Sequence, residues 1–469
     1  MNRAKIVCTI GPATQSEAMI EELIQAGMNV ARLNFSHGTQ AEHARVLKII
    51  RETSEKLDQP VAILQDLQGP KIRTGKLKNG TIQLIRGHRL VITTEEIEGT
   101  EEKISTTYQG FARDVTPGNR ILLDDGLIQL KVLQSNGTLV TCEVVEGGTL
   151  SDYKGINLPG VAISEPSVTE KDKADLLFGI EQGVDYVALS FVRSPKDVLE
   201  VREIIHQKGA DIPVIAKLEK PEAIDNLEAI MEAADGVMVA RGDLGVELPP
   251  EKVPAIQKRI INLGVKLGKP VITATQMLES MREHSRPTRA EVSDVANAIF
   301  DGTDAVMLSA ETATGKYPVE SVRMMSRIIQ EAEAGVISAT RQIIKGASSI
   351  PDAISEAACQ AAEDLEARAI VAFTQSGFTA QLVSKYRPRI PIIAFTPHQT
   401  VQRRLSLLWG VSPLIMELSQ NTDELIKKVE QILLSKQMVQ QGEVIVILLG
   451  APIFVRGTTN LMKIHRVGK

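Results

Sequence analysis

Eight short apolar runs, each followed by polar residues and most of them by a helix-like stretch, constrain the fold of this chain more than any other feature. The runs have strand length and are rich in Val and Ile, whereas the segments between them repeat apolar residues at helical spacing. They lie at 4–10, 28–35, 61–64, 186–191, 212–216, 236–240, 270–273 and 305–308. Eight strands alternating with helices predict a closed parallel (β/α)8 barrel, the TIM barrel.

The first interruption of this alternation falls between the third and the fourth run. Residues 71–167 contain short β-rich segments, and the turn pairs Asn79-Gly80, Asp125-Gly126 and Asn136-Gly137 lie among them. Such turn pairs between apolar runs are typical of β-hairpins. We therefore expect a small inserted β-barrel domain at 71–167 that serves as a lid, and a barrel domain made of 1–70 and 168–340.

A second alternation of strands and helices follows the barrel. It predicts a C-terminal α/β domain at 352–469 with a regulatory role. Within it, one turn that follows a strand and opens a helix carries Thr374, Ser376, Gly377 and Thr379. Hydroxyl groups next to the free N–H groups of a helix N-terminus suit a phosphate group. The alternative for this turn is an ordinary helix cap.

Charged residues follow two neighbouring strand runs of the predicted barrel. Lys217 and Glu219 follow the run at 212–216, and Arg241 and Asp243 follow the run at 236–240. The carboxyl ends of parallel strands meet at one edge, where α/β proteins keep their sites. The carboxylates of Glu219 and Asp243 would suit a hard divalent cation, with Lys217 as a second positive charge beside it. The alternative is a pair of salt bridges at the barrel rim.

The composition limits the partners that this chain is expected to bind. A net charge of −5 argues against a general nucleic-acid binder. No apolar stretch approaches the roughly 20 residues of a membrane helix, so we expect no membrane partner. The three cysteines are far apart and odd in number, which fits neither a disulfide framework nor a zinc site. A cytoplasmic location is therefore expected.

Five motifs carry a family resemblance that extends over essentially the whole chain. They are RLNFSHG (32–38), VIAKLEKPEAI (214–224), MVARGDLG (238–245), ATQMLESM (274–281) and RPTRAE (286–291). In this order they resemble the pyruvate kinase family, whose domain order also matches the split barrel, the inserted β domain and the α/β tail. The resemblance implies a glycolytic enzyme that forms ATP and pyruvate from phosphoenolpyruvate and ADP.

The resemblance also implies roles for the residues at the strand ends. Glu219 and Asp243 would hold Mg²⁺ or Mn²⁺, and Lys217 would stabilise the phosphoryl group in transfer. Arg32 would clamp the phosphate, unless it only pairs with Asp66. Backbone N–H groups around Gly242 would bind the substrate carboxylate. The hydroxyl of Thr275 would either protonate the enolate or order the water that does so.

Further expectations concern the nucleotide, the effector and the assembly. Arg73, Lys154 and Asn34 would contact the nucleotide when the lid closes. The effector at the Thr374–Thr379 turn is expected to be AMP or a sugar phosphate, because loop 449–458 lacks the tryptophan associated with fructose-1,6-bisphosphate sites. The family's usual assembly implies a homotetramer.

One departure from the best-known family pattern concerns the monovalent cation. Family members that need K⁺ carry Glu in the motif where this chain has Lys71. The region in question is formed by Asn34, Ser36, Asp66 and Leu67. Because a lysine ammonium and K⁺ would repel each other at short distance, we expect Lys71 to replace K⁺, which would then not be required. The alternative is that Lys71 points to solvent and that K⁺ still binds.

Two other functions remain open on sequence grounds. A barrel lysine beside a metal pair would also serve a Schiff-base or metal-dependent aldolase, although such an enzyme has no use for a nucleotide lid. A sensor that binds a phosphorylated metabolite without catalysis is the second. The complete set of Lys217, Glu219 and Asp243 argues against it.

Overall fold

The structure is a computed structural model that describes residues 2–161, 163–335, 347, 349–417, 419, 421–451 and 457–469. The predicted end of the barrel domain at residue 340 and residues 452–456 of loop 449–458 therefore fall outside the described residues. Among those that are described, no helix is both long and apolar enough to cross a membrane.

The first part of the barrel is a run of three strands and two helices. Its elements are β1 (Lys5–Ile10), α1 (Glu17–Ala26), β2 (Val30–Asn34), α2 (Gln40–Lys56) and β3 (Ala62–Asp66). Helix α2 begins at a capping box in which Thr39 and Glu42 satisfy each other's backbone N–H groups. The capping box fixes the start of α2, and with it the course of the chain after the polar end of β2.

An all-β insertion follows β3, and the barrel continues after it. It contains β4 (Thr81–Leu84), β5 (Arg89–Thr93), β6 (Lys103–Ser105), α3 (Phe111–Asp114), β7 (Arg120–Leu123), β8 (Ile128–Ser135), β9 (Leu139–Glu146), β10 (Gly148–Ser151) and β11 (Ile156–Asn157). A six-stranded sheet in the order β11-β7-β8-β9-β5-β6 and a β10-β4 pair enclose one apolar core.

The barrel then continues through five more strands. The elements are α4 (Glu170–Gln182), β12 (Tyr186–Leu189), α5 (Pro195–Gln207), β13 (Val214–Leu218), α6 (Pro221–Asp225), α7 (Leu227–Ala233), β14 (Gly236–Ala240), α8 (Arg241–Glu247), α9 (Val253–Leu267), β15 (Val271–Ala274), α10 (Arg289–Asp301), β16 (Ala305–Leu308), α11 (Ala310–Ala313) and α12 (Pro318–Gly335). All eight barrel strands pair in parallel and close in the order β1-β16-β15-β14-β13-β12-β3-β2. The predicted TIM barrel is confirmed.

The C-terminal part forms a separate sheet covered by helices. Its elements are α13 (Ile350–Asp364), β17 (Ala369–Phe373), α14 (Phe378–Lys385), β18 (Ile392–Thr396), α15 (Gln399–Leu405), β19 (Val411–Ile415), α16 (Thr422–Ser435), β20 (Val444–Gly450) and β21 (Thr459–Arg466). The sheet order is β19-β18-β17-β20-β21, and only β21 runs antiparallel. This confirms the predicted α/β tail.

Two buried aspartates connect the barrel to the C-terminal part. Asp185 accepts a hydrogen bond from Ile63 N–H at 2.7 Å and pairs with Arg403 at 3.0 Å. Asp304 accepts from Val271 N–H at 3.0 Å and pairs with Arg387 at 2.8 Å. Both aspartates lie just before a barrel strand, at the amino ends of the strands. The arginines of the C-terminal part therefore contact the end of the barrel that is opposite to the predicted site.

Two local differences from the sequence-based expectation affect the site. The helix expected over 221–234 is broken at Asn226 into α6 and α7. The stretch that follows the run at 236–240, for which the sequence predicts no helix, is helical: α8 begins at Arg241, directly after β14. Asp243 therefore lies in the first turn of a helix, where free N–H groups favour negative charge.

Candidate active site

Lys217 occupies the centre of a buried polar cluster at the carboxyl ends of β3, β12 and β13. Its Nζ donates to Ser190 Oγ at 2.7 Å and lies 2.9 Å from Glu219 Oε1 and 3.3 Å from Asp66 Oδ1. Asp66 and Glu219 are each only 1% exposed. One ammonium group is thus shared by two carboxylates that water scarcely reaches.

Burial and charge act in opposite directions on these groups. Burial by itself lowers the pKa of Lys217, but the carboxylates of Asp66 and Glu219 outweigh it and raise that pKa well above its usual value. Burial also favours the neutral form of Asp66, yet the positive charges of Lys217 and Arg32 keep its pKa below the ordinary value. Lys217 is therefore a fixed positive charge at physiological pH.

Glu219 and Asp243 are close enough to repel each other. Burial raises the pKa of Glu219; Lys217 opposes that rise and the negative charge of Asp243 adds to it. One Glu219 oxygen accepts from Phe191 N–H at 2.7 Å, and the other faces Lys217. A bound cation would relieve this repulsion, and two carboxylates are the usual protein share of a Mg²⁺ site that keeps substrate oxygens and water as further ligands. No cluster of three or more His, Cys, Asp or Glu side chains suited to a metal occurs among the described residues. The donor set fits Mg²⁺.

Arg32 is anchored beside this cluster by two contacts. Its Nε donates to Asp66 Oδ2 at 2.6 Å, and its Nη1 donates to Thr9 Oγ1 at 3.0 Å. Within the described part of the chain, Nη2 makes no hydrogen bond. The pairing with Asp66 therefore exists, and it leaves one end of the guanidinium free for an anion.

The loop after β15 is held in an unusual conformation. Thr275 and Gln276 have φ values of 69° and 56°, a region that costs side-chain-bearing residues free energy. Arg241 compensates by donating to the Thr275 carbonyl at 2.7 Å while pairing with Asp294 at 2.7 Å. The Thr275 hydroxyl accepts from Gly242 N–H at 2.8 Å, so the ends of β14 and β15 are joined at this point.

The predicted nucleotide contacts lie at the hinge of the insertion. Arg73 pairs with Gly155 across the two connecting segments, and its guanidinium donates to the Tyr153 carbonyl at 3.0 Å. Lys154 forms an ion pair with Asp124 at 2.8 Å. Both side chains extend from the paired segments that connect the insertion to the barrel.

The pKa of His37 reflects the positive charge of the residues around this cleft. Burial lowers the pKa of His37, and Arg73, Lys71 and Arg32 lower it further in that order. Three cations thus influence one exposed imidazole. Asn34 lies on the same loop, where its side-chain oxygen accepts from Ser36 N–H at 3.1 Å.

Comparison with known proteins identifies the family to which this chain belongs. The pyruvate kinase barrel domain matches residues 1–322, and the pyruvate kinase alpha/beta domain matches residues 352–465. The chain belongs to the pyruvate kinase family. The resemblance carried by the five motifs is thereby confirmed, as is the prediction that the chain is an enzyme of this kind.

Two relatives and one solved structure align with this chain along nearly all of its length. Pyruvate kinase from Staphylococcus aureus strain MRSA252 is 51% identical over 475 residues, which include all of this chain and 81% of the relative. The enzyme of strain USA300 is 50% identical with the same coverage. A crystal structure of a pyruvate kinase from Cryptosporidium parvum has a TM-score of 0.94 at 38% identity and covers 99% of this chain and 96% of that one.

The residues predicted to replace or surround K⁺ in this family member are only partly brought together. Asp66 is saturated by Arg32 and Lys217, and the Leu67 carbonyl accepts from Ser190 Oγ at 2.7 Å. Lys71 has an exposed side chain that lies against Gly155 and lines the cavity between insertion and barrel. Asn34 and Ser36 form a local turn instead.

The predicted effector turn has both buried and exposed members. The Thr374 hydroxyl accepts from Gly377 N–H at 2.8 Å, and the Thr379 hydroxyl is bonded to that of Thr459 at 2.7 Å. Both threonines are buried, whereas Ser376 is exposed at the start of α14. Residues 452–456 of loop 449–458 lie outside the described residues, and the effector site stays a prediction.

Sequence reasoning missed two members of the buried polar cluster around Lys217. Ser190 donates to the Leu67 carbonyl and accepts from Lys217, which orients the lysine. Phe191 has a φ of 55°, and this turns its N–H toward Glu219. The signal available for both was their place at the end of a predicted barrel strand, next to the strand of Lys217.

Proposed function

We propose that this chain is a cytoplasmic pyruvate kinase of glycolysis that transfers the phosphoryl group of phosphoenolpyruvate to ADP, giving ATP and pyruvate. The observation that carries the proposal is the buried Lys217, held between Asp66 and Glu219 at 3.3 and 2.9 Å. The test is pyruvate release from phosphoenolpyruvate plus ADP, followed with a coupled lactate dehydrogenase assay. No release above the background without enzyme would overturn the proposal.

In this reaction the bond between the enol oxygen and phosphorus breaks while a β-phosphate oxygen of ADP forms the new bond. Charge develops on the phosphoryl oxygens and on the departing enolate, and positioned cations lower its free energy. Lys217 supplies one such charge, and its raised pKa keeps it protonated. Arg32 supplies the second through the guanidinium end that Asp66 and Thr9 leave free.

The metal proposed for this site is Mg²⁺, or Mn²⁺ in its place, held by Glu219 and Asp243. When bound, it would neutralise charge on substrate oxygens. Glu219 is supported from behind by Phe191 N–H, and Asp243 is carried by the first turn of α8. Both carboxylates are thereby oriented without any contribution from the lid.

The proton that converts enolpyruvate to pyruvate would be delivered on the side of Thr275. The hydroxyl of Thr275 donates to the Ala274 carbonyl at 2.6 Å and accepts from Gly242 N–H at 2.8 Å. This geometry favours a role in which Thr275 orders the donating water over direct donation by the hydroxyl. The remaining N–H groups at the start of α8 would bind the substrate carboxylate.

The inserted sheet is proposed to close over the nucleotide. Arg73 and Lys154 would bring their charges to the ADP phosphates, and Asn34 would contribute from the barrel side. Closure would also exclude water, which otherwise competes as phosphoryl acceptor. The accompanying division into a barrel domain at 1–70 and 168–340, a lid at 71–167 and a C-terminal domain at 352–469 is part of this proposal.

The aldolase alternative is disfavoured by electrostatics. A lysine that forms a Schiff base needs a lowered pKa, so that the neutral amine can attack a carbonyl. Burial lowers the pKa of Lys217, but two adjacent carboxylates raise it further than burial lowers it. Borohydride treatment in the presence of pyruvate is therefore expected to leave the chain unlabelled.

Regulation and assembly complete the proposal. A phosphorylated effector, AMP or a sugar phosphate, would bind at the turn that carries Ser376 and activate the enzyme. A homotetramer would let the C-terminal parts and the barrels change together. Lys71, placed on the cavity shared with Asp243, is proposed to take the place of K⁺. No nucleic acid and no membrane is proposed as a partner.

A further inference from the structure

Lys220, the residue after Glu219, lies where three elements meet. Its Nζ is 2.6 Å from Glu247 Oε1, and the two side chains are 9% and 1% exposed. Glu247 ends helix α8, whose first turn carries Asp243. The same Glu247 oxygen accepts from Asn157 Nδ2 of strand β11 at 3.0 Å. One buried carboxylate thus joins the end of a barrel strand, the helix of Asp243 and the inserted sheet.

The position of Lys220 relative to the proposed metal pair is specific. Asp243 and Glu247 are four residues apart on α8 and therefore share one face of the helix. On its other side, Lys220 Nζ lies 5.8 Å from the ring centroid of Phe191, whose N–H donates to Glu219. Lys220 therefore contacts residues that support each of the two carboxylates.

Glu247 depends on this lysine for its charge balance. Its second oxygen, Oε2, is buried and has no hydrogen-bond partner within the described residues. A buried carboxylate that lacks one of its hydrogen bonds is costly unless a cation is paired with it. Loss of Lys220 would remove the ion pair of the Glu247 carboxylate, one oxygen of which already lacks a hydrogen bond. Helix α8 would then shift to make the burial of this carboxylate less unfavourable.

We infer that Lys220 and Glu247 are positioning residues that set the separation of Glu219 and Asp243, and that Asn157 latches the inserted sheet onto the same carboxylate. The inference rests on the proposed function, because it takes Glu219 and Asp243 as the metal ligands. Partners behind metal ligands typically change metal affinity or activity by about 10- to 100-fold when they are removed.

The first test measures Mn²⁺ binding to the full chain without substrates, by the electron paramagnetic resonance signal of free Mn²⁺. Lys220→Met is expected to weaken binding by about 10- to 100-fold. The control is Lys385→Met, because Lys385 and Asp352 form a pair of equal burial, 9% and 2% exposed, in the C-terminal part. Lys385→Met should lower the melting temperature as Lys220→Met does and leave Mn²⁺ affinity at the parent value.

A double variant separates positioning from stability. Lys220→Met combined with Glu247→Leu removes both charges, so its melting temperature should recover toward that of the parent. Mn²⁺ affinity should stay low, because the link between α8 and β13 is still missing. Recovery of Mn²⁺ affinity together with the melting temperature would overturn the inference and assign the pair a purely structural role.

The latch is tested separately with Asn157→Ala. Mn²⁺ affinity should be unchanged, whereas KM for ADP should rise severalfold relative to KM for phosphoenolpyruvate, because the lid is less often closed. Equal kinetics of variant and parent would remove Asn157 from the inference. If the parent itself releases no pyruvate, the proposed function fails; if the parent is active and Lys220→Met binds Mn²⁺ as Lys385→Met does, only the inference fails.

Discussion

The hydroxyl of Thr275 accepts a hydrogen bond from the backbone N–H of Gly242 at 2.8 Å and donates to the Ala274 carbonyl at 2.6 Å. Its single proton and one of its two lone pairs are therefore engaged within the protein, and the second lone pair remains to accept from a water. This relationship joins the helix of the proposed metal ligand Asp243 to the loop that closes the other side of the site. It also commits the hydroxyl proton to a carbonyl, which bears on how the enolate is protonated.

Thr275→Val should lower kcat about 100-fold, since it removes the hydroxyl that bonds Gly242 and orders the water at the enolate. Thr275→Ser should stay within about tenfold of the parent, because it keeps the hydroxyl. Exchange of the pyruvate methyl protons in D₂O, followed by NMR, isolates the proton-transfer step from phosphoryl transfer. Equal exchange rates for Thr275→Val and the parent would contradict this role.

Lys217→Met should retain Mn²⁺ binding but lose turnover by a factor of about 10² to 10³, or roughly 3–4 kcal/mol in the barrier. The reason is that its charge is needed most where negative charge develops in the transition state. Single-turnover kinetics with phosphoenolpyruvate and ADP provide the measurement. Turnover within tenfold of the parent would exclude Lys217 from the mechanism.

The parent enzyme should be active with tetramethylammonium as its only monovalent cation, because Lys71 brings its own positive charge to the cavity that it shares with Asp243. Lys71→Glu should be nearly inactive until K⁺ is supplied. The comparison requires both proteins with and without added K⁺. A gain above about tenfold for the parent, roughly 1.4 kcal/mol, would show that Lys71 does not replace K⁺.

Ser376→Asp should abolish activation by AMP or by a sugar monophosphate, because it places negative charge at the exposed start of α14. Activity without effector should remain that of the parent. Ser376→Ala is the matched control and should keep most of the activation. An activation curve of Ser376→Asp that superimposes on the parent's would locate the effector elsewhere.

The pKa of His37 should rise when ADP binds without metal. Burial and the cations of Arg73, Lys71 and Arg32 hold it below the ordinary value, and phosphate charge near those cations stabilises the protonated imidazole. The sign follows because a nearby anion favours the charged form of a histidine. An NMR titration should show a higher midpoint with ADP than without it, and no displacement would place the nucleotide outside this cleft.

The barrel was predictable because eight apolar runs of strand length leave few other arrangements. The ends of those strands were predictable too, since Lys217 and Glu219 directly follow an apolar run. Helix α8 was not: it contains two glycines in seven residues, and local propensity favours a loop there. Its helical form is supported by contacts distant in sequence, among them the bond between Gly242 and Thr275.

The pair of Lys220 and Glu247 illustrates the same limit. The two residues are 27 positions apart, and no periodicity connects them. The parallel pairing of β13 with β14 brings α8, which follows β14, next to Lys220, which follows β13. The strained loop at Thr275 was equally hidden, because its positive φ is held by Arg241 from the neighbouring strand.

The ion pairs that Arg403 and Arg387 form with the two buried barrel aspartates have an evolutionary consequence. Asp185 and Asp304 take part of their counter-charge from the C-terminal part, and Lys5 of the barrel donates to the Val411 carbonyl there at 2.8 Å. A barrel inherited without that part would lose the partners that the C-terminal part supplies to these groups, although Asp185 would still pair with Arg51 at 2.8 Å. The C-terminal part is therefore no detachable module, and a lineage that discarded it would have to replace several barrel residues at the same time.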